Sequence, residues 1–109
     1  MKTTGKTSGY AVLTFEYYKE GNKWVATCIE FGTSTFGRSI IDAERKLDEA
    51  VMLHLKTLEE VGERERFFKE HKIEFKRTRQ LSPDMRVYPT REDAFVKPRI
   101  QPIGEMISA

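Results

Sequence analysis

The chain has little of what enzyme sites are usually built from. Its 109 residues include one cysteine, Cys28, and two histidines, His54 and His71. A lone thiol forms no intramolecular disulfide, and one Cys with two distant His residues lacks zinc-ligand spacing. No apolar run approaches the roughly 18 residues needed to cross a bilayer. The lysines near the N-terminus are not followed by the apolar segment of a secretory signal. These absences lead us to expect a cytoplasmic protein without membrane attachment. The length suits one domain and not two. With 39% hydrophobic and 33% charged residues, the composition is that of a globular chain with a heavily charged surface. Cys28 lies in an apolar-leaning stretch, where a small buried thiol is the ordinary outcome.

What is present reads as strands followed by a helix. Residues 10–18, YAVLTFEYY, alternate, with Ala11, Leu13, Phe15 and Tyr17 on one side and Thr14 and Glu16 on the other. Residues 23–31, KWVATCIEF, read as a second strand. Gly21-Asn22 between the two runs is a hairpin signal, since both residues tolerate positive φ. Residues 33–36, TSTF, are β-branched and aromatic and suit a third short strand. Ser39 then opens a long helix: its hydroxyl caps a backbone N–H and Asp42, three residues on, reaches back. Ile40, Ala43, Leu47, Ala50, Val51, Leu58 and Val61 share one face at helical spacing, and Gly62 ends the run. Residues 63–71 suggest a short helix anchored by Phe67 and Phe68, and residues 72–75 a short fourth strand. Beyond them Pro83, Pro89, Pro98 and Pro102 leave extended or turn structure.

Gly32 to Ser39, GTSTFGRS, raises a question of chemistry. It follows the pattern of a phosphate-binding loop, with a strand before it and a helix after. A phosphate loop, however, uses a compact lysine ammonium, and here Arg38 supplies a planar guanidinium. Thr33 to Phe36 favour pleated strand, and no buried strand ends in the aspartate that would hold magnesium. Ser39 reads as a helix cap and Gly37 as the residue that lets strand turn into helix. His54 sits on the apolar helix face near Leu47, Ala50 and Leu58, without an orienting partner or pocket for general-base work. Glu16 and Glu30 are isolated strand acids, expected to be solvated. We expect no catalytic, cofactor or metal site, and not an enzyme.

The order strand–strand–strand–helix, with Gly37-Arg38-Ser39 at the last turn, then Asp42-Ala43, Ala50 and the apolar VMLHL, resembles the HicB antitoxin family and its free-standing relatives. The likeness spans about residues 10–75. It implies a partial ribonuclease H-like fold (β-β-β-α-β) without that fold's catalytic carboxylates. It also implies oligomerisation and binding of a small, basic, mRNA-cleaving HicA-like toxin. Phe31-Gly32-Thr33 stands where the family has Pro-Gly-Cys. Residues 76–109 contain neither the helix-turn-helix nor the ribbon-helix-helix pattern with which a member would bind DNA.

The expected architecture is therefore α+β. A three-stranded antiparallel sheet carries one long helix and a short fourth strand, with a flexible arm at 1–9, the domain at 10–75 and an irregular, basic, proline-containing extension at 76–109. Aromatics crowd the strands on both faces, whereas one helix covers only one. Tyr17, Tyr18, Trp24 and Phe36 are thus candidates for a partner or oligomer interface, a homodimer being the commonest closed form. Charge is uneven: residues 40–75 hold seven cationic against ten acidic side chains, net −3, and residues 76–99 seven against three, net +4. The acidic segment suits a basic toxin. The alternative is nucleic-acid binding by the basic extension of an oligomer, through Lys76, Arg77 and Arg79. That stretch lacks interleaved aromatics for base stacking.

Overall fold

The computed structural model describes residues 9–77 and 88–103. Five strands and two helices follow in the order β1 (Gly9–Glu20), β2 (Lys23–Cys28), β3 (Thr33–Gly37), α1 (Ile40–Glu60), α2 (Arg64–Glu70), β4 (Glu74–Lys76) and β5 (Phe95–Ile103). All strand pairs are antiparallel, and the long helix packs on one face of the sheet. No helix among the described residues is long and apolar enough to cross a membrane.

β1 is the centre of the sheet. It pairs with β2 over Phe15–Glu20, with β4 over Tyr10–Val12, and with β5 along all of Gly9–Tyr17. A strand has two edges, so β2 and β4 must share one edge of β1, end to end, and β5 must run along the other. Thr14 falls in the gap between β2 and β4. There its N–H donates to Glu30 Oε1 at 2.8 Å, its hydroxyl donates to Glu30 Oε2 at 2.8 Å, and its carbonyl accepts from Ile29 N–H at 2.9 Å. This explains why β2 stops at Cys28, short of the expected Phe31. Residues 29–32 turn instead, with Gly32 at φ +68°, and free Glu30 to close the gap. Glu30 is therefore partly buried and hydrogen-bonded, not solvated.

The hairpin forms at Gly21-Asn22, but only Gly21 takes a positive φ, +62°. α1 starts where the hydroxyl cap places it: Ser39 Oγ accepts from Asp42 N–H at 3.0 Å, and Asp42 Oδ2 accepts from Arg38 N–H at 3.2 Å. A cap of this kind contributes about 1 kcal/mol. At the other end Gly62, φ +72°, lets Glu63 N–H reach back to the Leu58 carbonyl. The buried helix face is Ala43, Leu47, Val51, Leu55 and Leu58, and the first four pack on Ala11, Leu13, Phe15, Tyr17, Ala26 and Cys28. Val61, expected on that face, is exposed. It is the C-cap residue, where the backbone has left the helix and the 3.6-residue period no longer holds.

The extension differs most from expectation. Residues 95–103, expected as irregular, form a strand opposite nine consecutive residues of β1. Pro98 and Pro102 do not prevent it. Thr14 directs both its backbone groups toward the β2 edge, so the Thr14–Pro98 pair is not a hydrogen-bonded one, and neither is Tyr10–Pro102 four residues along. Both prolines thus present their missing N–H to the outer edge of the sheet, where proline is tolerated.

Candidate interaction surface

Alternation assigns each strand residue to a face. Toward α1 point Tyr17, Trp24, Thr35 and Gly37, and on β5 Lys97, Arg99 and Gln101; away from it point Glu16, Tyr18, Val25 and Phe36. The four aromatics singled out above therefore separate. Tyr17 has no exposed surface, and its hydroxyl donates to Glu44 on α1. It is a core residue and offers nothing to a partner, a correction that follows from its place under the helix. Trp24 is half-buried against the core. Tyr18 lies on the second face with the Arg91 guanidinium 3.7 Å from its ring centre. Only Phe36 is substantially open, 52% exposed on the edge strand β3, with Lys23 Nζ 5.9 Å from its ring centre. Tyr18, Val25 and Phe36 are cross-strand neighbours on this face.

Basic side chains of the extension are largely engaged within the molecule. Lys97 Nζ lies 3.3 Å from Glu44 Oε2, Arg99 Nη2 lies 3.0 Å from Asp48 Oδ1, and Arg91 pairs with Asp93 at 2.6 Å. Part of the acidic helix is thereby neutralised by β5, an arrangement that net charge per segment does not reveal. Lys76 pairs with Glu74 at 3.7 Å, Arg77 is exposed just past β4, and Arg79 lies outside the described residues. Exposed acids remain at Glu49, Glu60, Glu65 and Glu70.

Burial and neighbours set the titration of this helix–strand seam. Burial pushes the Glu44 carboxyl up, but hydrogen bonds from Tyr17 and Lys97 outweigh it and hold Glu44 below its usual 4.5. Burial, joined by the bond to Glu44, pushes the Tyr17 phenol far up, so it stays a donor. Asp48 shifts upward because burial is incompletely offset by Arg99, which is close but not aligned for a hydrogen bond to Oδ1. A depressed Glu44 stabilises the fold above its unfolded value and loses that contribution as pH falls through its folded value. Lys97→Met should therefore lower stability at neutral pH by about 0.2–1 kcal/mol, as suits a pair with an exposed cation. The deficit should shrink as pH falls through the folded value of Glu44, which lies below its usual 4.5. Urea midpoints followed from neutral pH down into acid read this out; a deficit independent of pH would mean that Lys97 acts through packing.

The remaining reactive side chains make contacts within the fold. Glu16, expected to be solvated, is 3% exposed. Thr90 reaches it and donates to its carboxylate from both backbone N–H and hydroxyl, the latter at 2.8 Å. Cys28 is fully buried, and burial pushes its thiol up to about 12. His54 sits edge-on to Phe31 and Phe67, with ring centres 4.6 and 5.2 Å away, and His71 stacks on the same Phe67 at 4.0 Å. The two histidines, distant in sequence, flank one phenylalanine in an aromatic cluster. The Gly32–Ser39 loop holds its own helix: Ser39 Oγ takes the Asp42 N–H of the first turn, Asp42 ties back to Arg38 N–H, and Gly37 lies against the Ala43 backbone. Among the described residues, no three His, Cys, Asp or Glu side chains gather as a metal ion requires. No family model, curated protein or solved structure matches the chain.

Proposed function

We propose that this protein is a non-enzymatic interaction module of the HicB-like antitoxin type, which binds and masks a small, basic, RNA-cleaving partner. The observation that carries the reading is Phe36, a large apolar ring left half-open on an edge strand beside Tyr18 and Val25. Aromatic anchors of this kind dominate binding energy when a partner desolvates them. The exposed acids of α2, Glu65 and Glu70, would mainly speed the encounter with a basic protein. The buried Cys28, the donor-locked Glu16 and Glu30, and the ring-packed His54 are each used in holding the fold, which supports binding over chemistry.

An RNA-cleavage assay with a HicA-type toxin tests this. One equivalent of the protein should suppress cleavage, and Phe36→Glu should weaken the suppression by about 30-fold or more, as expected for a hot-spot anchor. Toxin activity unaffected by excess protein would remove the masking role. RNA turnover by the protein itself, lost in His54→Ala, would replace it with an enzyme.

A further inference from the structure

The face of α1 turned away from the sheet carries a pattern that neither the core nor the Phe36 surface uses. Arg45, Glu49, Met52, Leu53, Lys56 and Glu60 fall on it at spacings of four, three, one, three and four residues. Met52 and Leu53, 51% and 66% exposed, form an apolar centre in a face that is otherwise charged. The spacing is a palindrome about the midpoint between Met52 and Leu53, and the charges invert under it. When two copies of this helix are laid antiparallel across a two-fold axis at that midpoint, Arg45 faces Glu60 and Glu49 faces Lys56, while Met52 and Leu53, one on each side of the seam, each meet their own copy.

We infer that this face of α1 is the seat of a homodimer, with a second copy of the chain bound antiparallel across a two-fold axis between Met52 and Leu53. This goes beyond the partner-masking reading and uses a different surface. Three observations favour a second copy as occupant. First, the face is self-complementary only in the antiparallel sense; a parallel pairing would place Arg45 on Arg45 and Glu49 on Glu49, which is repulsive. Second, the apolar centre continues into a groove of about 580 Å³ between α1 and the end of β5, walled by Leu55, Lys56, Pro102 and Ile103. The groove gives the partner's apolar pair a recess and extends the contact toward the roughly 800 Å² per partner of a stable interface. Third, the competing route to self-association along β5 is blunted, because Pro98 and Pro102 leave its outer edge without two N–H donors. Arg45 already bonds Asp42 and Glu49 within its own helix at 3.0 and 3.3 Å. Glu49 shares that bond, so the informative measurement is the exchange of both charges of the central Glu49–Lys56 pair, which restores attraction across the axis.

The experiment is sedimentation equilibrium on the full chain from about 1 to 100 µM, a range set to bracket a micromolar Kd. The wild type should run at twice 12.7 kDa. Leu53→Glu should raise the dissociation constant about 100-fold while circular dichroism stays native, since Leu53 makes no core contact. Glu49→Lys and Lys56→Glu should each weaken the dimer about tenfold, and the double variant, which swaps both charges across the axis, should recover to near wild type. A monomer throughout the range overturns the inference, as does a dimer indifferent to Leu53→Glu or a double variant no better than the singles. A wild-type monomer in which Leu53→Glu abolishes toxin masking would assign this face to the partner and also overturn it. Loss of masking in Phe36→Glu with the dimer intact bears only on the preceding section.

Discussion

Gly37→Val should lower stability by about 3 kcal/mol or more, at or beyond the upper end of the range for overpacking a core. Gly37 is buried at the end of β3, where the chain turns into α1. A Cβ there would stand 2.4 Å from Ala43 N, 2.8 Å from Ala43 Cα and 2.9 Å from the Asp42 carbonyl carbon. All three are backbone atoms of the first turn of α1, held by the Ser39 cap and by Thr35, whose hydroxyl donates to the Ala43 carbonyl at 2.8 Å. The helix start cannot retreat without breaking those bonds, so a branched side chain must separate helix from sheet. Gly21→Ala is the control. At φ +62° it is strained, but an added Cβ meets nothing within 4 Å, so it should cost only about 1–2 kcal/mol. If urea unfolding gives the two variants equal losses, the contact between β3 and α1 is loose enough to admit a branched side chain.

That glycine also shows how far the sequence could be read. Gly37 and Ser39 stood out because they complete a phosphate-loop pattern, and the same residues had a reading as turn and cap. Local signals of this sort operate within four or five residues, and they were legible: the Gly21 turn, the Ser39–Asp42 box, the Gly62 stop, and most of the buried helix face. Tertiary events were not. Tyr17 alternates correctly with Leu13 and Phe15, yet alternation does not say which aromatic lies beneath the helix, so its burial against Glu44 had no signal. Glu16 reads as a solvated strand acid until Thr90 bonds it from 74 positions away. β5 was hidden by Pro98 and Pro102, which break a strand signal in general but sit here at positions whose N–H the ladder does not need. Lys97 and Arg99 read as a basic tail and prove to be counter-charges for Glu44 and Asp48. Of the interface candidates, Phe36 stayed open because β3 has β2 on one side only among the described strands.

The returning strand sets up the largest effect of all. A chain lacking residues 88–109 should not fold cooperatively at 25 °C, although it keeps the whole of residues 10–75. Removing β5 uncovers the edge of β1 from Gly9 to Tyr17, the strand whose Ala11, Leu13, Phe15 and Tyr17 are the centre of the core. It leaves Glu44 and Asp48 without Lys97 and Arg99, and it strips Glu16 of both donors from Thr90. Glu16 and Glu44 regain water when their partners leave, so the loss falls on the strand pairing along Gly9–Tyr17 and on the cover that Ile103 gives the core, set against the roughly 5–15 kcal/mol that holds a domain together. Thr90→Val grades the effect, because it deletes the hydroxyl donor and keeps the shape and the backbone N–H. It should cost about 1.5–3 kcal/mol, the range for a hydrogen bond to a charged group. In a Glu16→Val background the same change should cost almost nothing, since the acceptor is gone, and this cycle separates the bond from any packing by the threonine. If the shortened chain instead melts cooperatively at the wild-type midpoint, residues 10–75 are self-sufficient and β5 is an appendage. If Thr90→Val costs the same in both backgrounds, residues 88–91 hold the second face by packing, and Glu16 is not their anchor.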